Sequence, residues 1–254
     1  MALFKPFFYK EFLKSFRNYT FYILLILFSF FGFSNPIIAK LMPEIFKLAE
    51  SDLGGITLVL PEPTALDSWM QFFSNISTQL GLFILMFSSI FTIELSSGSI
   101  ITMLTKGMPR HLIITSKFAF LVVVWTIMYY LTFFITYFYT PLLLTATLDN
   151  QLIMSFFPYF YGILLISISL WGGVITKSSI GSIVFPLLYT MLMSALSFIS
   201  LPKDFIPAVL SRDSILLLTN EVSLSHFTIP TIATFFIIIF FIGTAIAIFN
   251  KQHI

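Results

Sequence analysis

Six long runs without a charged residue constrain this chain more than any other feature of its sequence. They cover residues 18–39, 68–93, 118–148, 150–176, 178–202 and 222–250. A helix needs about 20 mostly apolar residues to cross a hydrocarbon core about 30 Å thick, and every run is long enough. We therefore predict six transmembrane helices, near 19–36, 69–93, 118–141, 152–175, 179–201 and 227–249.

The composition excludes a soluble domain. Hydrophobic residues make up 58% of the chain and charged residues 9%, whereas soluble domains are about half apolar and about a quarter charged. A membrane β-barrel would alternate apolar and polar residues along strands of about ten residues, but these runs are apolar throughout. The predicted fold class is therefore an all-α polytopic membrane protein with a single transmembrane domain over 1–254. The net charge of +2 gives no reason to expect nucleic acid as a partner.

The basic residues are distributed unequally between the two sides of the predicted membrane. One side carries Lys5, Lys10, Lys14, Arg17, Lys106, Arg110, Lys117, Lys177 and Lys251, and the other carries Lys40, Lys47, Lys203 and Arg212. Lysine and arginine are enriched in cytoplasmic loops, so we predict that both termini are cytoplasmic. No charged residue falls in the middle of a predicted span, where proton pumps and ion channels usually keep one.

Residues 6–18 predict an amphipathic helix that lies in the membrane interface. At 100° per residue one side of this helix carries Phe8, Tyr9, Phe12, Leu13 and Phe16, and the other carries Lys10, Glu11, Lys14 and Arg17. Such a helix places its aromatic side in the acyl region and its basic side towards anionic headgroups. It can serve as a lipid anchor and topology signal, or as an elbow helix that moves against a cytoplasmic partner.

The loop 95–117, between the second and third predicted spans, contains a short helix of its own. Ser97 or Ser99 can cap the start of this helix, and Gly107 can end it in a left-handed conformation. Pro109 then suits the first turn of the next helix. The apolar side chains of the short helix are Ile100, Ile101, Met103 and Leu104. These side chains suit a groove on a soluble subunit, so we predict a cytoplasmic coupling loop here.

At these residues the chain resembles the type-2 permeases of ATP-binding-cassette (ABC) transporters. The resembling positions in the loop are Glu94 at the end of the second span, Gly98, Ile101, Leu104, the Pro109-Arg110 turn, and Lys117 at the start of the third span. In the elbow helix they are Lys10, Glu11 and Arg17, with Lys14 on the same side. The resemblance extends over the whole chain, including six spans and an apolar outer segment at 202–222. The Pro109-Arg110 spacing is one residue shorter than in many members, which leaves the partner of Arg110 open.

The resemblance implies an exporter subunit without an ATPase site of its own. The nearest string to a phosphate-binding loop, at 172–178, has Thr176 where the motif requires glycine, so ATP and Mg would be bound by a partner, a cytoplasmic ABC ATPase subunit. A second permease copy or paralogue is expected to complete a dimer in the plasma membrane of a bacterium. The cargo would be hydrophobic or amphipathic, a peptide or lipid-like molecule, because phenylalanine is abundant and charge is scarce. The same features are most similar to staphylococcal exporters of phenol-soluble modulins and to lantibiotic-immunity permeases.

Two other functions remain open at this point. The chain could be an antimicrobial-peptide immunity or sensing permease that binds an ATPase but exports nothing. An intramembrane enzyme is the remote alternative, since no serine–histidine pair or zinc motif is evident in the spans, and we expect no enzymatic activity. The role of Glu94 is also open: it can mark the membrane boundary in contact with Lys106 or Lys117, or couple to the ATPase or the elbow helix.

Polar and aromatic residues on the outer side predict a transport pathway. Asn75 and Gln79 lie four residues apart on one helix face, which should avoid lipid. Tyr137 and Tyr139 belong to an outer aromatic group that is typical either of an interfacial belt or of a substrate-lining surface. The small residues of the fifth span favour a dimer face or packing within the subunit. The pieces of the 202–222 segment are too short to cross the bilayer and predict re-entrant or interfacial helices; by resemblance, they form an outer gate.

Overall fold

The computed structural model describes residues 4–52, 62–105, 107–145, 148, 150–196, 206–219 and 221–252. Over these residues the chain is helical and has no β-strand; its one bridge pairs Thr64 with Thr145. Six helical stretches are long and apolar enough to cross a membrane. The predicted all-α polytopic fold class is therefore confirmed, and the chain is a multi-pass membrane protein.

Ten α-helices follow one another in the part of the chain that the structure describes. They are α1 (Phe4–Arg17), α2 (Thr20–Asp52), α3 (Ala65–Phe87), α4 (Thr92–Ser96), α5 (Ser99–Thr105), α6 (Arg110–Leu143), α7 (Gln151–Thr176), α8 (Ser179–Leu196), α9 (Val209–Arg212) and α10 (Thr228–Lys251). Short 3-10 turns cover Ser214–Leu217 and Leu224–Phe227. The candidate spans are Thr20–Phe46, Ala65–Ser96, Arg110–Leu143, Gln151–Thr176, Ser179–Leu196 and Leu224–Lys251.

Two helices are longer than the sequence indicates. The third span begins as α6 at Arg110 rather than near 118, and its 34 residues extend over about 51 Å, well beyond the hydrocarbon thickness. The first span, α2, continues through Pro36 to Asp52 instead of ending near 36. A proline removes the hydrogen bond to the carbonyl group four residues earlier, here that of Gly32. Thr136 of α6 donates its hydroxyl to this Gly32 oxygen at 3.2 Å, so the helix continues with the carbonyl satisfied.

The bundle contains two groups of closely packed helices. In the first group α2 packs on both α3 and α6, and in the second α7 packs on both α8 and α10. The outer segment, α9 with the turn Ser214–Leu217, packs mainly on α7. This segment does not span, and it buries Val209, Leu210 and Leu217. The part of the predicted outer segment at 202–205 and Asn220 lies outside the described residues.

Three threonines of α6 hold the first group together by hydrogen bonds. Thr132 donates to the Phe28 carbonyl oxygen of α2 at 2.9 Å, one turn before the bond from Thr136 to Gly32. The hydroxyls of Thr140 and Ser68 of α3 lie 2.8 Å apart. Between these levels, Asn75 of α3 donates to Asn35 of α2 at 2.8 Å, and Asn35 donates to Thr136 at 3.0 Å. We call the side chains that make these bonds the polar ladder: Asn35, Ser68, Asn75, Thr132, Thr136 and Thr140. Hydroxyl and amide groups buried among spans are expected to pair across helices in this way.

Small residues bring helices together in both groups. A Cβ atom on Gly32 would lie 2.8 Å from the Cβ of Ile135, so α2 and α6 touch at this glycine. In the second group, a Cβ on Gly172 of α7 would lie 2.6 Å from the carbonyl oxygen of Gly181 of α8. The small residues at the start of the fifth span therefore pack within the subunit.

The close contact at Gly32 predicts a large effect of a bulky side chain there. Gly32→Leu should lower the free energy of unfolding by about 1–3 kcal/mol, the usual cost of overpacking, because Ile135 leaves no room. Gly243→Leu is the matched control, since a Cβ on Gly243 meets nothing within 4 Å. Thermal unfolding of both variants in neutral detergent measures the difference, and equal melting temperatures would contradict the packing described.

Candidate functional site

Five charged side chains from three helices meet at one end of the bundle. Lys10, Glu11 and Lys14 come from α1, Glu94 from α4 and Lys117 from the second turn of α6. We call these residues the charge cluster. The amphipathic period of α1 places its three members along one side of that helix, and the ends of the second and third spans supply the other two.

Lys117 is the centre of the charge cluster. Its ammonium nitrogen lies 2.9 Å from Glu11 Oε1 and 2.7 Å from Glu94 Oε2, and it donates to the Ile90 carbonyl oxygen at 3.0 Å. The ammonium group therefore donates hydrogen bonds to Glu11 and to the Ile90 carbonyl, and it forms an ion pair with Glu94. The side chain of Lys117 is 0% exposed, that of Glu11 1% and that of Glu94 5%. Three ionisable groups are thus held out of water together.

Two further lysines complete the pairing of the carboxylates. Lys10 Nζ lies 2.6 Å from Glu94 Oε1 and 3.4 Å from Glu11 Oε1, and Lys14 Nζ lies 3.3 Å from Glu94 Oε1. Both lysine side chains are about one-third exposed. The charge cluster therefore has a buried centre and a basic rim that faces outward. Each buried carboxylate has at least two cations nearby, which offsets part of the cost of desolvation.

The charge cluster includes two of the contacts that the sequence predicted for Glu94. The residue contacts Lys117 and pairs with the elbow helix, so both contacts exist at once, while Lys106 lies outside the described residues. The sequence placed Glu11 on the polar side of α1 that faces the headgroups. This placement is wrong, because the Glu11 side chain is buried against Lys117 of α6. Phe7 is buried as well, whereas Tyr9 and Leu13 are exposed.

The short helix α5 presents different side chains to the bundle and to the outside. Ile100 is buried in a small core with Phe91, Ile113 and Phe249, whereas Ile101 is 44% exposed. Leu104 is half-buried and packs against the same core. Of the apolar side chains predicted to face a partner, Ile101 is free to do so and Ile100 is not.

A glycine lies just beyond each end of α5. Gly98 has φ +70 and Gly107 has φ +82, a left-handed conformation that glycine adopts without steric cost. The predicted end of the helix at Gly107 is confirmed. The predicted serine cap is not observed: the hydroxyl of Ser97 donates to the Glu94 carbonyl oxygen at 3.4 Å, and the Gly98 carbonyl accepts the first helical bond, from Thr102.

Arg110 binds the end of the sixth span. Its guanidinium donates to the carbonyl oxygens of Phe249, Asn250 and Gln252 at 2.9, 3.2 and 2.6 Å. The last carbonyls of a helix have no partner within the helix, and a basic group near them is stabilising. The amide of Gln252 in turn donates to the Val174 carbonyl oxygen of α7 at 2.9 Å. Arg110, whose partner the sequence left open, therefore joins the loop to the ends of α10 and α7.

A groove of about 670 Å³ runs between α1 and the α4–α5 segment. Its basic lining comes from Lys10, Lys14 and Arg17, and apolar lining comes from Leu13 and Met103. Arg17 is exposed. We call this the elbow groove. It combines cationic and apolar surface beside the exposed face of α5.

A second cavity, of about 370 Å³, lies between α3, α7 and α8 and reaches Ser211 of α9. Its walls are mostly apolar, with hydroxyl groups from Ser77, Tyr161 and Thr190. We call this the lateral cavity. The sequence did not predict it, because it depends on how α8 packs on α7.

The four residues predicted to line a pathway are not brought together. Asn75 belongs to the polar ladder, and Gln79 is buried with no hydrogen-bond partner for its amide atoms among the described residues. The Tyr137 ring stacks on Phe133, whereas Tyr139 faces α2, where it contacts Phe33. None of the four lines the lateral cavity. The polar ladder could have been predicted from the threonines at 132, 136 and 140, which recur every four residues and so share one face of α6.

The charge cluster predicts that Lys117 stabilises the fold. Lys117→Met leaves Glu11 and Glu94 buried with less compensation, which should cost about 3–5 kcal/mol of unfolding free energy. Adding Glu11→Gln to Lys117→Met should recover part of that loss, because one buried charge is removed.

Lys177→Met is the matched control, since Lys177 is exposed. Thermal unfolding in detergent measures all three variants. Equal stability of Lys117→Met and Lys177→Met would contradict the role given to the charge cluster.

Comparison of the chain with protein-family models, with curated proteins and with solved structures finds no match. The resemblance to type-2 ABC permeases therefore rests on the quoted motifs alone.

Proposed function

We propose that this chain is the membrane-spanning subunit of an ATP-driven exporter, energised by a separate cytoplasmic ATPase that binds ATP and Mg. The observation that carries the proposal is the charge cluster, which joins α1, α4 and α6 directly beneath two spans. A permease needs such a connection, because force applied at its surface must reach helices inside the membrane.

The surface proposed to receive the ATPase is the exposed side of α5 with the elbow groove. Ile101 offers an exposed apolar side chain, and Lys10, Lys14 and Arg17 supply positive charge beside it. Interfaces between proteins combine an apolar anchor with a polar rim. An ATPase surface with an apolar pocket and acidic residues around it would complement this arrangement.

Two connections would carry a displacement of α5 into the bundle. The first connection is Glu94 of α4, which is joined to α5 by the turn at Gly98. Glu94 pairs with Lys10 of α1 and Lys117 of α6, so a displacement of α5 would reach both helices. Through Arg110 it reaches the end of α10. A movement of the loop would thus act on the second, third and sixth spans together.

The lateral cavity supports a hydrophobic or amphipathic cargo. Its apolar walls and scattered hydroxyl groups suit an amphipathic peptide or a lipid-like molecule, since ligand sites are mostly apolar with a few polar groups. The cavity ends at Ser211 of the outer segment, which we propose acts as the outer gate. In this proposal a second permease copy completes the pathway, and both termini are cytoplasmic.

Co-purification and hydrolysis assays test the proposal. The chain is expressed with candidate ATPases encoded beside its gene, and ATP hydrolysis of the complex is measured with and without an amphipathic peptide. A stable complex whose hydrolysis rises with peptide is expected. Absence of any complex would defeat the proposal, and a complex that moves no peptide into vesicles would favour the immunity or sensing alternative.

Ile101 should be required for ATPase binding. Ile101→Glu should weaken the complex about five-fold or more, because loss of a central apolar anchor costs over about 1 kcal/mol. Ile180→Glu is the matched control: it changes another exposed isoleucine, in the first turn of α8. Binding is measured by titration of the purified ATPase, and an equal loss in both variants would contradict the assignment of α5.

Filling the lateral cavity should block cargo without disturbing the fold. A Cβ on Gly81 meets no atom within 4 Å, and Gly81 lines the cavity, so Gly81→Trp should occupy that space. Peptide stimulation of hydrolysis should fall to the basal rate, whereas Gly243→Trp should keep it. If peptide still stimulates ATP hydrolysis in the Gly81→Trp variant, the cargo does not bind in the lateral cavity.

A further inference from the structure

A small cavity of about 80 Å³ lies beneath α1, separate from the lateral cavity. The wall formed by α1 and the residue that follows it is polar and carries Glu11, Lys14, Ser15 and Asn18. The Glu11 carboxylate in this wall is already paired with Lys10 and Lys117. The opposite wall is largely apolar and includes Phe87 and Phe120. A single water needs about 10–15 Å³ measured in the same way, so the cavity has room for a larger polar group.

Ser15 indicates that a ligand completes this cavity. The residue is 6% exposed, and its hydroxyl has no hydrogen-bond partner among the described residues. A buried hydroxyl without a partner is unfavourable. An acceptor placed in the cavity would satisfy it.

The charges around the cavity favour an anion. Lys14 and Asn18 line both this cavity and the elbow groove, where Arg17 also lies. The charge cluster has three lysines against two carboxylates, and Arg17 adds a further positive charge. This excess of positive charge is offset by nothing else that lines the two spaces.

Neighbouring side chains place the cavity at the level of lipid headgroups. Tyr19 and Tyr22, directly after α1, are both exposed, and tyrosine is enriched where the bilayer meets water. Along α2, exposed apolar side chains follow at Ile23, Ile26 and Phe30. The polar cavity therefore adjoins a surface suited to acyl chains.

We propose that the cavity beneath α1 binds the phosphate headgroup of an anionic phospholipid. Lys14 and Arg17 supply the positive charge, and Ser15 and Asn18 supply hydrogen bonds. The bound lipid fills the space between α1 and the ends of α3 and α6, next to the elbow groove, with which the cavity shares Lys14 and Asn18.

Lipid titration of the full chain in neutral detergent tests this proposal. The melting temperature is followed against phosphatidylglycerol, phosphatidylcholine or inorganic phosphate, and apparent affinities are derived from the shifts. Phosphatidylglycerol is expected to bind most tightly. Arg17→Gln should weaken its binding about five-fold, the contribution expected of one basic residue near an anionic headgroup. Ser15→Met, which fills the cavity, should weaken its binding by at least the same factor.

Two controls keep the result specific. Ser96→Met and Lys177→Gln change an exposed serine and an exposed lysine and should leave the affinity unchanged. Asn18→Leu replaces Ser15→Met if that variant does not fold. Equal affinity for phosphatidylcholine, binding of inorganic phosphate as tight as that of phosphatidylglycerol, or unchanged affinity in the cavity variant would each overturn the proposal.

Discussion

The pairing of two buried carboxylates with one buried lysine determines the arrangement of this end of the molecule. Glu11 and Glu94 lie out of water, where an unpaired charge is strongly unfavourable, and Lys117 is the buried cation they share. The three side chains come from α1, α4 and α6, so these helices cannot separate without leaving a charge uncompensated. Residues of the charge cluster line both the elbow groove and the cavity beneath α1.

Away from this end, the bundle is held by groups that lipid cannot satisfy. The hydrocarbon core offers no hydrogen bonds to backbone or side-chain groups, so the polar ladder pairs them across α2, α3 and α6. Pro36 is the clearest example. It leaves the Gly32 carbonyl without its helical hydrogen bond, and the Thr136 hydroxyl donates to that carbonyl instead. Close contact at small residues occurs in both groups, at Gly32 in the first and between Gly172 and Gly181 in the second. The lateral cavity lies where α3 of the first group faces α8 of the second.

Features that depend on local sequence could be predicted, and those that depend on distant pairs could not. The six spans follow from uncharged runs, because crossing a bilayer constrains each segment by itself. The turn at Gly107 follows from the conformational freedom of one residue. The burial of Glu11 could not be read from its helix, since Lys117 is 106 positions away. Arg110 is likewise 139 positions from Phe249, and nothing near it in the chain identifies its acceptors.

The bond between Arg110 and the end of α10 has a consequence for biosynthesis. The ribosome delivers Arg110 with the third span, whereas the carbonyl groups it binds follow only with the sixth. Until then the guanidinium has no helix end to cap, and α5 lacks Phe249 from its small core. The loop between the second and third spans therefore reaches its final form only after the sixth span has been inserted.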